Sequence, residues 1–132
     1  MKNSKDYTVF PRIDDQIIQN LQELNEPDEE LPFFEGLIHL YFKEAPIAFH
    51  KLEQALEKSD VPAVVHFSHK LKGLSRNLGL RRMAEICATI EHGGASLVSE
   101  DLRDLLEQSR AELDQVIVAL SRYLQAPAAK VS

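Results

Sequence analysis

Helical periodicity constrains the fold of this chain more than any other feature. Apolar residues recur every three or four positions along most of its length, and no segment shows the strict alternation of a half-buried strand. The apolar stripes and the capping residues predict five helices. The first covers residues 13–24, and the second is a long helix that ends near residue 58. The third runs from an Asp60 cap to about residue 78, the fourth covers residues 81–92, and the fifth is capped by Ser99 and ends near residue 124.

Short connections between these segments favour antiparallel packing of successive helices. We therefore predict an all-α fold, an up-and-down antiparallel four-helix bundle over about residues 31–124, with the short N-terminal helix packed across it. Two points stay open. The long helix starts near Pro27 or Pro32, and Pro46 either kinks it or breaks it into two. We expect residues 1–10 to be frayed and residues 126–132 to form a flexible tail.

Length and composition narrow the function. The chain has 132 residues, which suits one domain over residues 1–132, and its formal net charge is 15 − 21 = −6, which argues against a general nucleic-acid binder. A single cysteine excludes an internal disulfide and a Cys-based zinc site, and Cys87 falls on an inward stripe as core filler. Without an apolar run of about 18 residues or a secretory signal, we expect a soluble cytoplasmic protein that contacts no membrane.

The third predicted helix carries the residues that could take part in a chemical reaction. On a helical wheel one face is apolar, and the opposite face holds Pro62, Val65, His66, His69, Lys72, Gly73 and Arg76. Glycine within a helix costs roughly 1 kcal/mol, and Gly73 has no packing role on a solvent face, so it leaves room beside His69 for another molecule. Five cations and no acid lie at the charged positions from 70 to 82 (Lys70, Lys72, Arg76, Arg81 and Arg82). A histidine among cations suits a group that becomes anionic, such as phosphohistidine.

These residues resemble a known family. The run His69-Lys70-Leu71-Lys72-Gly73 is similar to the H-x-L-K-G signature of histidine-containing phosphotransfer (HPt) domains. The resemblance extends over residues 31–124, because Asn77-Leu78-Gly79 stands where the family has N-L-G and Phe42-Lys43-Glu44-Ala45-Pro46 is similar to its F-x-E-A-P stretch. Departures are Ser68, where alanine is common, and the large residues Leu74 and Arg76 after the glycine.

The resemblance implies a phosphorelay role. Nε2 of His69 would accept a phosphoryl group from a receiver-domain phosphoaspartate and pass it to another receiver. Lys72 would steady the phosphoryl charge, Gly73 would give the partner clearance, and further partner contacts would come from Val65, His66, Lys70, Arg76 and Asn77. The partners implied are the receiver domains of a hybrid sensor kinase and a response regulator.

The same resemblance implies what the chain lacks. The receiver would bring Mg²⁺, and the chain itself would need no metal or other cofactor. No glycine-rich nucleotide loop occurs, so we expect no ATP-dependent kinase activity. We expect a monomer, since one bundle buries its own apolar faces.

Alternatives remain at this stage. The chain could be a helical adaptor that binds receivers without phosphotransfer, or the substrate domain of a larger hybrid kinase. His66 is a neutral surface residue, a tuner of the phosphoryl environment, or a metal ligand with His69. Arg76 either binds phosphate or narrows the range of receivers.

Overall fold

The computed structural model describes residues 5–27, 30, 32–94 and 99–130. A 3-10 turn at Tyr7–Val9 precedes five helices: α1 (Asp15–Gln22), α2 (Phe33–Glu57), α3 (Val61–Asn77), α4 (Arg81–Gly93) and α5 (Ser99–Lys130). The described residues contain no strand, which confirms the all-α prediction. None of the described helices is long and apolar enough to cross a membrane.

The four long helices form a closed ring. Helix α3 packs against α2 and α4, and α5 packs against the same two helices, while α1 contacts α2 and the 3-10 turn contacts α4. The centre of the ring is filled by fully buried apolar side chains from all four helices, including Tyr41, Ile38, Leu52, Leu71, Met83, Ile90, Leu105 and Leu120. Cys87 belongs to this core, and burial raises the pKa of its thiol to about 12. The prediction that it fills the core rather than reacts is consistent with that environment.

The start of α3 follows its sequence signals. Asp60 caps the helix by accepting a hydrogen bond from the Ala63 backbone N–H at 3.2 Å, and Pro62 lies in the first turn. Helix α2 begins at Phe33, directly after Pro32, and continues through Pro46. The alternative of a break at Pro46 is therefore wrong.

The end of α3 is a Schellman motif centred on a glycine. Gly79 has a φ of +69°. Its N–H donates to the Arg76 carbonyl at 3.1 Å, and the Leu80 N–H donates to the Ser75 carbonyl at 2.9 Å. The turn also receives the N-terminal segment, because the Asp14 N–H donates to the Gly79 carbonyl at 2.8 Å.

The expectation of a frayed N-terminus is wrong for residues 5–10. Tyr7 is 4% exposed, and its hydroxyl donates to Thr89 Oγ1 on α4 at 2.7 Å. Arg82 Nε donates to the Phe10 carbonyl at 3.0 Å. One buried aromatic and a few specific hydrogen bonds hold this segment, and neither produces a periodic pattern that sequence inspection could detect. Residues 1–4 lie outside the described residues.

Two helix boundaries also differ from expectation. Helix α1 covers Asp15–Gln22 rather than residues 13–24. It starts after Asp14, which caps it by accepting from the Gln16 and Ile17 backbone N–H groups. Helix α5 runs to Lys130, so the predicted end of this helix near residue 124 is wrong. The flexibility expected of residues 126–132 stays a prediction. Residues 131 and 132 lie outside the described residues.

We predict that Gly79→Ala destabilises the bundle by about 1–3 kcal/mol, because a side chain is unfavourable in the left-handed region and strained against a neighbour. A Cβ at this position would lie 2.8 Å from Ile17 Cβ. Chemical denaturation monitored by circular dichroism measures the change. A variant as stable as the wild type would show that the turn relaxes freely.

We predict the opposite sign for Gly73→Ala. A Cβ there meets nothing within 4 Å, so only the intrinsic helix propensity changes. The free energy of unfolding should rise by about 1 kcal/mol, and the thermal midpoint by roughly 4 °C. Loss of stability on this substitution would show that the glycine serves the fold.

Candidate functional site

His69 lies in the middle of α3 with 65% of its side chain exposed. Helix α4 packs alongside and brings Glu91 against the ring, so that His69 Nδ1 lies 2.7 Å from Glu91 Oε2. This bond joins residues that are 22 positions apart in the sequence. It orients an otherwise exposed imidazole.

Glu91 bridges His69 to a second side chain. Its other oxygen, Oε1, lies 2.6 Å from Lys72 Nζ, and the side chains of Lys72 and Glu91 are only 10% and 15% exposed. Burial by itself would raise the pKa of Glu91. The hydrogen bonds from Lys72 and then from His69 outweigh that effect and lower the pKa below its ordinary value. Glu91 is therefore a carboxylate at neutral pH.

The ionised state of Glu91 determines the tautomer of His69. A carboxylate has no proton to give, so the nitrogen facing it must donate, and His69 Nδ1 carries the proton. In the neutral ring Nε2 then holds the free electron pair. Nε2 points away from Glu91 on a largely exposed ring, which is the arrangement that nucleophilic attack on an incoming phosphorus atom requires.

The placement of Lys72 on the outer face of α3 is wrong. The buried residues of this helix are Val64, Ser68, Leu71, Lys72 and Ser75. Because α3 packs against both α2 and α4, its buried strip turns away from Phe67 and Leu74, which are only partly buried. The strip includes polar residues with local partners: Ser68 Oγ donates to the Val64 carbonyl at 2.7 Å, and Ser75 Oγ lies 3.1 Å from the Tyr41 hydroxyl.

The other predicted site residues share the outer side of α3. His66, His69, Lys70, Gly73, Arg76 and Asn77 are exposed, and Val65 is half-buried. Lys70 Nζ lies 3.7 Å from Glu44 Oε1 on α2. The His66 ring makes an edge contact with Phe67 at 4.8 Å between centroids. Within the described ranges no three metal-ligating side chains come together, so His66 and His69 belong to no larger ligand group there.

Glu91 is the residue that reasoning from the sequence missed. It follows Ile90 at the edge of the buried stripe of α4. The sequence has no acid between residues 70 and 82, but the site does contain one, because the fold brings Glu91 to it from the next helix. The sequence signal that could have identified Glu91 is its position as an acid at the border of the buried face of α4, the helix next to α3.

Comparison with known proteins identifies the family to which the chain is similar. A family model of the Hpt domain matches residues 36–123, which include the whole of α3 and α4. The chain is 33% identical over 109 residues to Multistep phosphorelay regulator 1 of Schizosaccharomyces pombe, a match covering 83% of this chain and 36% of that protein. It is 27% identical over 116 residues to Histidine-containing phosphotransfer protein 4 of Arabidopsis thaliana, with 86% and 90% covered. The chain thus spans about a third of the length of the first relative.

Solved structures agree on the fold. The chain resembles histidine-containing phosphotransfer protein B of Pseudomonas aeruginosa PAO1 with a TM-score of 0.75 and 26% identity, over 88% of this chain and 96% of that one. It resembles yeast Ypd1p with a TM-score of 0.76 and 19% identity, over 87% and 95%, which is a likeness of fold alone. HPt proteins are phosphotransfer intermediates rather than kinases. The chain belongs to the Hpt domain family.

Proposed function

We propose that His69 is the phosphorylated residue and that it relays a phosphoryl group between the aspartates of receiver domains. One observation carries this assignment: the 2.7 Å bond from Nδ1 to Glu91 leaves Nε2 as the free, outward-facing nitrogen of an exposed ring. His69 also has an open glycine position, Gly73, one turn away on the same helix.

The proposed transfer is a displacement at phosphorus. The Nε2 electron pair forms an Nε2–P bond while the P–O bond to the receiver aspartate breaks, and its electron pair leaves on the aspartate carboxylate. The imidazole keeps its Nδ1 proton and becomes positively charged. Glu91 faces that proton and stabilises the positive ring, as a carboxylate does for an imidazolium. Transfer to the next receiver runs the same step in reverse.

The exposed side of α3 supplies the proposed receiver-binding surface. Val65, His66, Lys70, Arg76 and Asn77 lie there around His69 and Gly73. The cations Lys70 and Arg76 suit a partner whose acidic pocket carries a phosphoryl group. Arg76 is exposed, so its guanidinium is accessible to a phosphate or to a receiver carboxylate.

The proposal extends to partners and surroundings. Receivers of a hybrid sensor kinase and of a response regulator are the proposed donor and acceptor, and the receiver brings the Mg²⁺. We propose that the chain itself uses no cofactor, lacks ATP-dependent kinase activity, acts as a monomer, binds no nucleic acid and works in the cytoplasm. Its net charge of −6 supports the exclusion of nucleic acid.

We predict that His69→Gln abolishes phosphoryl transfer while the bundle stays folded, because glutamine can still donate an N–H towards Glu91 but has no nucleophilic nitrogen. A phosphorylated receiver and Mg²⁺ are mixed with each variant, and acid-labile, base-stable label on the chain is measured. His39→Gln, at an exposed histidine of α2, is the matched control and should accept label normally. A His69→Gln protein that still relays would sink the assignment, whereas receiver binding without label on the wild type would favour an adaptor.

We predict that Gly73→Leu weakens receiver binding by about tenfold or more, because a branched side chain would project beside the nucleophilic ring into the space the partner occupies. The bundle should stay folded, since a Cβ at this position meets nothing within 4 Å. Isothermal titration with a receiver domain measures the affinity. Glu107→Leu adds the same side chain at an exposed position of α5 and should bind as the wild type does. Unchanged affinity of Gly73→Leu would contradict the clearance role.

A further inference from the structure

Arg76 is the cation of α3 that has no ion partner among the described residues. Helix α3 carries three cations. Lys72 pairs with Glu91 at 2.6 Å, and Lys70 pairs with Glu44 at 3.7 Å. Arg76 is exposed, and its side chain makes no ion pair or hydrogen bond within the part of the chain that the structure describes. The donors of its guanidinium are therefore available to a molecule that docks on α3.

Arg76 lies too far along α3 to take part in holding a phosphoryl group on His69. The two residues are seven positions apart, which is roughly 10 Å along the axis of an α-helix. Helix α4 shows the same offset. Its Glu91 binds His69, and its Ala84, seven positions before Glu91, lines a depression together with Arg76. Side chains on one helix lean in the same direction, so the offset persists, and it is about three times the length of a hydrogen bond.

The depression beside Arg76 suits an acidic side chain. It lies between the end of α3, the start of α4 and the start of α1, with a volume of about 240 Å³, and a second exposed arginine, Arg81, also lines it. The two acids that line it have partners elsewhere: Asp14 caps α1, and Glu85 lies 3.6 Å from Lys5 Nζ. A carboxylate from another protein fits both the concave shape and the guanidinium groups.

A protein that docks over His69 also covers Arg76. Gly73 stands between the two residues, about one turn from each, and a Cβ at Gly73 would meet nothing within 4 Å. A specific protein–protein interface covers about 800 Å² on each partner, a patch far wider than this part of α3. The surface of a bound receiver therefore faces Arg76 while its phosphoaspartate faces His69.

We propose that Arg76 is a specificity-determining residue, which pairs with a carboxylate on the docking face of the receiver and not with the phosphoryl group. This role rests on the proposed function, in which His69 is the phosphorylated residue. A receiver with an aspartate or glutamate opposite Arg76 gains a charge-assisted hydrogen bond, whereas a receiver with a lysine or arginine there meets a like charge. Attraction of one partner and repulsion of another both contribute to specificity.

The first test separates contact with the receiver from contact with the phosphoryl group. Phosphoramidate is a small donor without a receiver surface: its P–N bond breaks and its amine leaves as ammonia while the Nε2–P bond forms. Phosphorus-31 NMR measures labelling, and subtraction of the rate of His69→Gln gives the rate at His69. For Arg76→Ala this rate should stay within about twofold of the wild type, while isothermal titration should show about fivefold weaker binding of a receiver domain. A labelling rate that falls as far as the affinity would place Arg76 on the phosphoryl group and overturn the proposal.

The second test reverses the charge. Arg76→Glu should weaken binding of the receiver by about tenfold or more, and added salt should reduce the loss. The variant should fold, because the turn that ends α3 uses the carbonyl of Arg76 and not its side chain. Arg103→Glu, at an exposed position of α5 across the ring from α3, is the matched control, since both variants change the net charge by two units, −6 − 2 = −8. The control should bind as the wild type does, and equal losses in the two variants would overturn the proposal.

The third test identifies the group that Arg76 contacts. The exposed carboxylates on the docking face of the same receiver are replaced by lysine one at a time. One replacement should weaken binding to the wild type and strengthen binding to Arg76→Glu, with a coupling of about tenfold between the two sites. Additive effects at every carboxylate would contradict a direct pair and overturn the proposal.

The outcomes are distinct from those that test the proposed function. Receiver-dependent labelling of His69→Gln bears on the assignment of His69 alone. Receiver affinity is measured without phosphoryl transfer, so the charge swap tests the contact of Arg76 even if another residue were phosphorylated. Normal labelling of His69 without a charge-swap partner for Arg76 would overturn this proposal and leave the proposed function standing.

Discussion

A single carboxylate organises the site. Glu91 projects from α4 between two residues of α3, and its two oxygens bind different partners, Lys72 and His69. The bond to His69 selects the protonated ring nitrogen, and the bond to Lys72 offsets the burial of the carboxylate. Because these partners lie three positions apart on one helix, the carboxylate also ties α3 to α4 where the exposed imidazole is presented. Stability and chemistry here depend on the same contacts.

Much of the fold follows from local signals. The stripes of apolar residues, the Asp60 cap and the glycine after α3 predict helices at the places where they are found, because each acts over a few residues of chain. His69 and Gly73 could be singled out for the same reason, since a histidine and a helix glycine on one exposed face need no tertiary information. The all-α bundle then follows from the short connections.

The features of the fold and the site that the sequence did not predict depend on contacts between residues distant in the sequence. A wheel drawn for α3 alone cannot show that α2 and α4 widen its buried strip, so Lys72 was placed on the wrong side. Glu91 could not be joined to His69 without the packing of α4 against α3. The ordered N-terminal segment also escaped detection, because Tyr7 is a single aromatic among polar residues and its partner, Thr89, is 82 positions away.

The N-terminal segment has a consequence for the orientation of α4. It binds this helix at two levels, near its start through Arg82 and two turns later through Thr89. Two attachment points on one side of a helix fix its rotation about its own axis as well as its position along that axis. A rotation of about 100°, the angle between successive residues, would carry Glu91 away from α3. The first residues of the chain, far from His69 in sequence, thereby help to set the phase at which α4 presents its carboxylate to the imidazole.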